Sequence, residues 1–353
     1  MFVRRWNLVV RCLTTLAIVT SFIFAIMAPI TAAPAEGNLL FIDKRGKVIS
    51  ATNYDLTLGF SEGLAVVFKG NKCGYIDKKG MVVIPLQFDS ADSFYQGIAL
   101  VKRNGQYSFI DKTGREVISL KYDMALEKFS EDLVAVYLNG KWGFIDKAGQ
   151  EIIPLQFDVA QNFSEGLAMV KKDDKFSFID KSGQEVIALH ALQFIPAGNF
   201  SEGLAWIKKD DKLGVIDKAG NEIVPPTYQY SSKQFSEGLS WACLKSRCGY
   251  IDKSGKEIIA FEFDSTQNFS EGYAAVNRSW PSSKMSYIDK NGKEVIPPQF
   301  DGASPFHEGL AMVMRDSKLG FIDSTGKVVI PFQYEWGYAF SEGLAAVLIQ
   351  LMK

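Results

Sequence analysis

The chain repeats itself every 34 to 37 residues, and that constrains its fold more than any other feature. An Ile-Asp pair, usually inside an aromatic-Ile-Asp-Lys-x-Gly string, places its Asp at Asp43, Asp77, Asp111, Asp146, Asp180, Asp217, Asp252, Asp289 and Asp323. A second string, Phe-Ser-Glu-Gly-Leu-Ala, interleaves with it. Its Phe falls at Phe60, Phe94, Phe129, Phe163, Phe200, Phe235, Phe269, Phe306 and Phe340. Nine copies of each string at matched spacing are an internal tandem repeat. A unit of about 35 residues buries too little apolar surface to stand alone, so neighbouring copies complete one another's cores.

One copy reads as strands and turns. Gly143-Phe144-Ile145-Asp146 alternates apolar and polar, as a half-buried strand does. In Asp146-Lys147-Ala148-Gly149, Asp accepts backbone hydrogen bonds and Gly takes the left-handed position of a turn. Glu151-Ile152-Ile153 returns as a second strand, and Pro154 ends it because proline cannot donate to a ladder. A loop runs through Phe163 to Gly166, and Leu167-Ala168-Met169-Val170 forms a third strand. Between Val136-Tyr137-Leu138 and Lys141-Trp142-Gly143 stands Asn139-Gly140, the strongest short-range hairpin signal. Each copy is therefore expected to supply a three-stranded antiparallel meander and one longer loop. The chain is all-β, with no sustained helical periodicity after the first 35 residues.

Lys141-Trp142-Gly143-Phe144-Ile145-Asp146-Lys147-Ala148-Gly149, with Ile152-Ile153-Pro154 and Phe163-Ser164-Glu165-Gly166-Leu167-Ala168, resembles the bacterial WG-repeat family, also called KWG repeats. The resemblance spans about residues 39 to 349 and implies a repeat fold, not a particular activity. The Trp of the name stands only at Trp142; Cys73, Tyr107, Phe176, Leu213, Cys248, Met285 and Leu319 replace it elsewhere, as expected of a packing residue.

The ends of the array carry complementary halves of a ninth unit: Phe41-Ile42-Asp43 and Lys47-Val48-Ile49 at one end, Leu344-Ala345-Ala346-Val347 at the other. A closed, propeller-like toroid pairs such halves, and small residues such as Ala65, Ala99, Ala168 and Ala345 suit strands crowded toward an axis. An open solenoid accounts for the same repeats and is the alternative.

Before the repeats, Arg4, Arg5 and Arg11 precede a stretch without charge from Cys12 to Ala35, and Ala33 or Ala35 offers a small-x-small cleavage site. Residues 1–35 are expected to be an export signal, with an uncleaved membrane anchor as the alternative, and residues 36–353 a single repeat domain. That places the protein in the periplasm, at the cell surface or outside the cell. Of 39 basic side chains 36 follow this segment, against 40 acidic ones, so no basic excess supports nucleic-acid binding.

Catalytic signatures are poor. There are two histidines, His190 and His307, the second in the Ser slot of its Phe-Ser-Glu-Gly string, and no nucleophile motif, phosphate loop or metal-ligand spacing. No cofactor or metal is expected. The acids Glu62, Glu131, Glu165, Glu202, Glu237, Glu271, Glu308 and Glu342 share one slot, with Gln96 the exception. Each is read as capping its own loop or lying in solvent.

Copies that depart from the pattern carry more information. Trp206 and Trp241 fill one slot in adjacent copies, and Trp280 lies in an enlarged hairpin from Asn277 to Met285. In solvent these would form an aromatic platform for a sugar or peptide; in the core the first two only fill volume. A two-residue turn at Lys245-Ser246 sets Cys243 opposite Cys248, and an exported protein is the right setting for a disulfide there. Cys73, with Phe68 opposite, is expected as a buried thiol.

The leading functional expectation is a non-catalytic binding or scaffold protein of the bacterial cell envelope, recognising a protein or a glycan. The alternatives are an enzyme on envelope glycans or peptides using ring-face carboxylates, and a structural surface protein.

Overall fold

The computed structural model describes residues 37–278 and 284–350. Within them lie nine four-stranded antiparallel sheets, and in eight of them every strand pairs only with its sequence neighbours. In the third blade the strands are Met124–Ala125, Leu133–Leu138, Lys141–Asp146 and Glu151–Phe157. The repeat is thus four-stranded, a correction to the three-stranded meander expected from the sequence. The added strand lies in the longer loop and is commonly two residues, such as Val159–Ala160, paired with Val170 and Lys171. Two residues show no periodicity; the strand exists because the next one offers it a ladder.

The ninth sheet joins the two ends of the array. Trp336–Gly337 and Leu344–Gln350 supply its first two strands, Gly37–Asp43 and Val48–Thr52 its last two. Gly37–Asp43 pairs with Leu344–Gln350 over seven positions, from Gly37 opposite Gln350 to Asp43 opposite Leu344. This closes a ring of nine blades.

Each blade buries its faces against both neighbours. Phe144 and Ile153 of blade 3 share a core with Ala168, Val170 and Ile179 of blade 4. At every seam between blades the Phe of the Phe-Ser-Glu-Gly string meets an aromatic of the preceding blade: Phe144 lies 5.0 Å from Phe163 and Tyr75 4.8 Å from Phe94. The slot after Leu in the second strand, Ala65 to Ala345, is buried in all nine blades, which lets these strands crowd together. The fourth strand is the rim and leaves Val82, Val117, Ile152 and Val186 exposed. Antiparallel order puts the Ser-Glu-Gly and Asp-Lys-x-Gly turns on one face, here the turn face. The second-to-third hairpins and the loops between blades share the other, the hairpin face.

Candidate functional site

The turn face is built around a chain of contacts from blade to blade. Each Ser-Glu-Gly turn holds its Glu and Gly at positive φ (53° and 87° at Glu62 and Gly63), so successive N–H groups point the same way and form an anion-binding nest. The nest is filled by the preceding blade. The carboxylate of Glu62 accepts the Gly97 N–H at 2.9 Å, and that of Glu165 accepts the Gly203 N–H at 2.8 Å. This contact recurs at eight seams, including the closing one, where Glu342 accepts from Gly63. At seven of them a Lys from the next Asp-Lys-x-Gly turn joins the carboxylate, as Lys112 does Glu62 at 3.0 Å and Lys78 does Glu342 at 3.1 Å. The Ser adds a bond across the seam, Ser61 to the Phe94 carbonyl at 2.6 Å and Ser341 to the Phe60 carbonyl at 2.5 Å.

The glutamates therefore cap the next blade's turn, not their own, and are not merely solvated. Burial works to raise the pKa of Glu62, but Lys112 and the Gly97 N–H outweigh it and hold the carboxyl below its ordinary value. Burial is likewise outweighed at Glu131, Glu308 and Glu342 by the next blade's lysine and amides. These are fixed, ionised anchors of the ring.

One seam breaks the rule. Between blades 2 and 3 the Ser slot holds Tyr95, the Glu slot Gln96, and the receiving Gly is Asp132. None of the three seam contacts forms there among the described residues. Lys147, which would have met the missing glutamate, pairs instead with Asp132 of its own blade at 2.8 Å. Tyr95 is 42% exposed, with the Lys128 ammonium 5.2 Å from its ring centroid. Beside this seam lies Asp92, whose carboxyl is pushed up to about 7 by burial and then by the charge of Glu127 on the next blade.

The hairpin face carries a second belt. Asp158 accepts from Lys141 of its own blade at 2.6 Å and from the Asp173 N–H of the next at 2.9 Å. Lys72–Asp89 at 2.7 Å and Arg247–Asp264 at 2.6 Å repeat the ion pair. After blade 4 the loop is rebuilt over residues 188–193 and supplies no such acid, so Lys175 has no carboxylate partner among the described residues. A pocket of about 230 Å3 opens there, lined in part by Gln156, Lys175, Ser177, Glu185 and His190.

Of the two settings the sequence left open for Trp206, platform and core, the structure decides for the core, which removes it as a ligand-binding residue. It is fully buried, stacked 6.2 Å from Phe235, with its indole N–H donated to Ser240 Oγ at 3.2 Å. The cause is its slot, which faces the neighbouring blade and also holds buried Val66, Leu100 and Ala275. Trp241, in the same slot, is half-buried against the core of blades 6 and 7. Trp280 lies outside the described residues. Cys243 and Cys248 stand opposite each other with Cα atoms 4.0 Å apart and are disulfide-bonded. Cys73 is buried, its thiol 3.5 Å from the Phe88 carbonyl. His190 and His307 are exposed.

The repeat residues have the parts their chemistry suggests. Asp146 accepts from the N–H groups of Ala148 at 2.9 Å and Gln150 at 2.8 Å, and Gly149 donates to the Asp146 carbonyl at 2.9 Å. Trp142 lies half-buried, 5.2 Å from Tyr137; Phe163 is buried; Gly166 donates to Glu131 at 2.9 Å. The seam glutamates' true receivers were missed by sequence reasoning. The departure of Gln96 together with Asp132, one copy apart, is the signal that points to them.

Nine like blades, closed by strands from both ends and tied at their seams, define a nine-bladed β-propeller built from tandem repeats. The model of the WG containing repeat matches nine times, over residues 41–73, 74–107, 107–142, 142–176, 176–212, 214–248, 249–278, 285–318 and 320–349. The chain belongs to that family. No curated protein matches the sequence. Among solved structures, one titled as the eukaryotic initiation factor aligns with TM-score 0.55 and 7% identity over 83% of this chain and 94% of its own. At that identity the likeness is one of fold alone. PorZ, a surface component of the type-IX secretion system of Porphyromonas gingivalis, aligns at TM-score 0.30 and 10% identity over 80% of this chain and 46% of its own. The extracellular domain of a hybrid two component system from B. thetaiotaomicron aligns at 0.33 and 11% over 84% and 52%.

Proposed function

We propose that this propeller is a non-catalytic binding or scaffold protein, exported to the cell envelope, which recognises a protein or glycan through the blades that depart from the repeat. The observation that carries this reading is the state of the repeated carboxylates. A general acid needs a carboxyl raised toward neutrality, whereas Glu62, Glu131, Glu308 and Glu342 are held down by lysines and amides that they bind across seams. These charges serve the ring, which leaves rigid faces and their irregular copies for recognition.

The test uses the full chain as bait against envelope extract and a glycan panel, beside Trp241→Ala and Tyr95→Ala variants. Saturable capture of one partner, weakened in a variant that melts normally, supports the reading. Turnover of an offered glycan or peptide sinks it. Cell fractionation, with the mass of the mature N-terminus, tests the envelope location.

One observation favours an enzyme as the second reading: the half-buried Asp92 carboxyl, pushed up to about 7 by desolvation and then by the charge of Glu127, has the protonation a general acid in glycan hydrolysis needs. Loss of turnover in Asp92→Asn would establish that reading, and no turnover by the unaltered chain would remove it.

A further inference from the structure

The eight filled nests report what the ninth is built to hold. Each takes a glutamate carboxylate on the N–H of its third turn residue. The turn of blade 3 has the same backbone, with φ of 54° at Glu131 and 71° at Asp132. The residue set against it is Gln96, which is exposed, carries no charge and makes no hydrogen bond with the turn. The neighbouring contact is missing too, because Tyr95 replaces the Ser whose hydroxyl would reach the Phe129 carbonyl. Cations remain at hand: Lys147 is held beside the turn by Asp132, and Lys128 lies over the exposed Tyr95 ring.

We propose that this nest docks a glutamate side chain of a protein partner, presented in a Ser-Glu segment that supplies from outside what blade 2 no longer supplies from within. This rests on the binding role proposed above and names its site and the class of partner. The partner's carboxylate accepts the Asp132 N–H, as Glu131 accepts that of Gly166 at 2.9 Å. Its serine donates to the Phe129 carbonyl, as Ser130 does to that of Phe163 at 2.6 Å. Tyr95 and Lys128 flank the segment. The site is open to such a partner: the Asp132 side chain is 77% exposed, and among the described residues no hydrogen bond or ion pair spans this seam on the turn face.

The test is fluorescence anisotropy with a labelled, C-terminally amidated peptide bearing Phe-Ser-Glu-Gly-Leu-Ala, its Glu-to-Gln counterpart, and a peptide whose only carboxylate is its C-terminus. The protein is the full chain, unaltered and as Gln96→Glu, which fills the nest from within and suits the fold because eight seams carry Glu in that slot. The Glu peptide should bind about tenfold or more tighter than the Gln peptide, the scale of one charge-assisted hydrogen bond. Gln96→Glu should lose about tenfold or more of that binding for the same reason while still melting cooperatively. Equal binding of the Glu and Gln peptides, undiminished binding by Gln96→Glu, or no binding at millimolar peptide overturns the assignment. Equal binding of the C-terminal carboxylate peptide overturns the glutamate side chain as the group recognised. A partner captured equally by the unaltered chain and Gln96→Glu overturns the nest but leaves the binding role standing. No capture by either removes that role.

Discussion

A methyl group on Gly143 would sit 2.6 Å from the Ile153 carbonyl oxygen and 2.8 Å from the Leu155 amide nitrogen. The fourth strand bulges across the third at this point, so that a side chain here crowds its backbone. Where Ser108 and Ser177 replace this glycine, the fourth strand shortens to Glu116–Ser119 and Glu185–Ile187. Ser286 is the exception and keeps a full strand, Glu294–Phe300. Gly143→Ala is expected to cost about 2–3 kcal/mol by displacing that strand, read as a lower denaturant midpoint. Asp92 makes a pH-dependent contribution. Its folded pKa of about 7 lies above the ordinary 3.8, so the fold disfavours its ionised form. Stability from this group is full below about pH 4, falls as pH rises toward about 7, and then levels off. Asp92→Asn should flatten that fall in melting temperature; an unchanged profile would show that Asp92 is ordinarily solvated. The sequence made the turn acids and glycines legible because their chemistry is local. Trp206 was not, since the facing of its slot depends on where the neighbouring blade stands.

At the scale of the element, hairpins follow most directly from local sequence. Asn139-Gly140 has φ of 52° and 84°, the doubly left-handed turn that matches the twist of its strands. Lys245-Ser246 takes the same turn without glycine, at 51° and 63°, within the hairpin that Cys243–Cys248 clamps. A loop this short gives a disulfide contribution of about 2 kcal/mol in the chain-entropy account. Reductant should lower the unfolding free energy of the native chain, read from the denaturant midpoint and slope, by that amount and leave a Cys243→Ser, Cys248→Ser double variant unmoved. Two free thiols found by mass in non-reduced protein would contradict the bond. The two-residue first strands belong to the same scale but were hidden, because Val159–Ala160 has no pattern apart from the ladder it joins.

At the scale of the molecule, the ring is held by apolar burial at each seam and by the Ser, Glu and Lys contacts that orient it. Closure makes the blades interdependent, since an edge left open at one seam exposes the cores on both sides. Glu342→Gln weakens the closing seam, where the carboxylate meets both Gly63 and Lys78. The expected loss is about 1–2 kcal/mol, less than for a buried charge because the pair is partly solvated. It should appear as a lower melting temperature, with faster amide exchange in Gly37–Asp43 and Leu344–Gln350. An exchange increase spread evenly over all blades would show that closure is not a local lock.

The sequence by itself determined the period, the all-β character, the hairpin turns, the Asp-Lys-x-Gly turns and the complementary halves of a ninth unit. All of these depend on residues within one copy or on a simple count of copies. Tertiary structure decided that the halves pair into one blade, that each glutamate reaches forward to the next turn, and that the tryptophan slot faces inward. The physical reason is common to all three. They are contacts between copies 33 or more residues apart, and the angle at which one blade meets the next arises only when the whole ring packs.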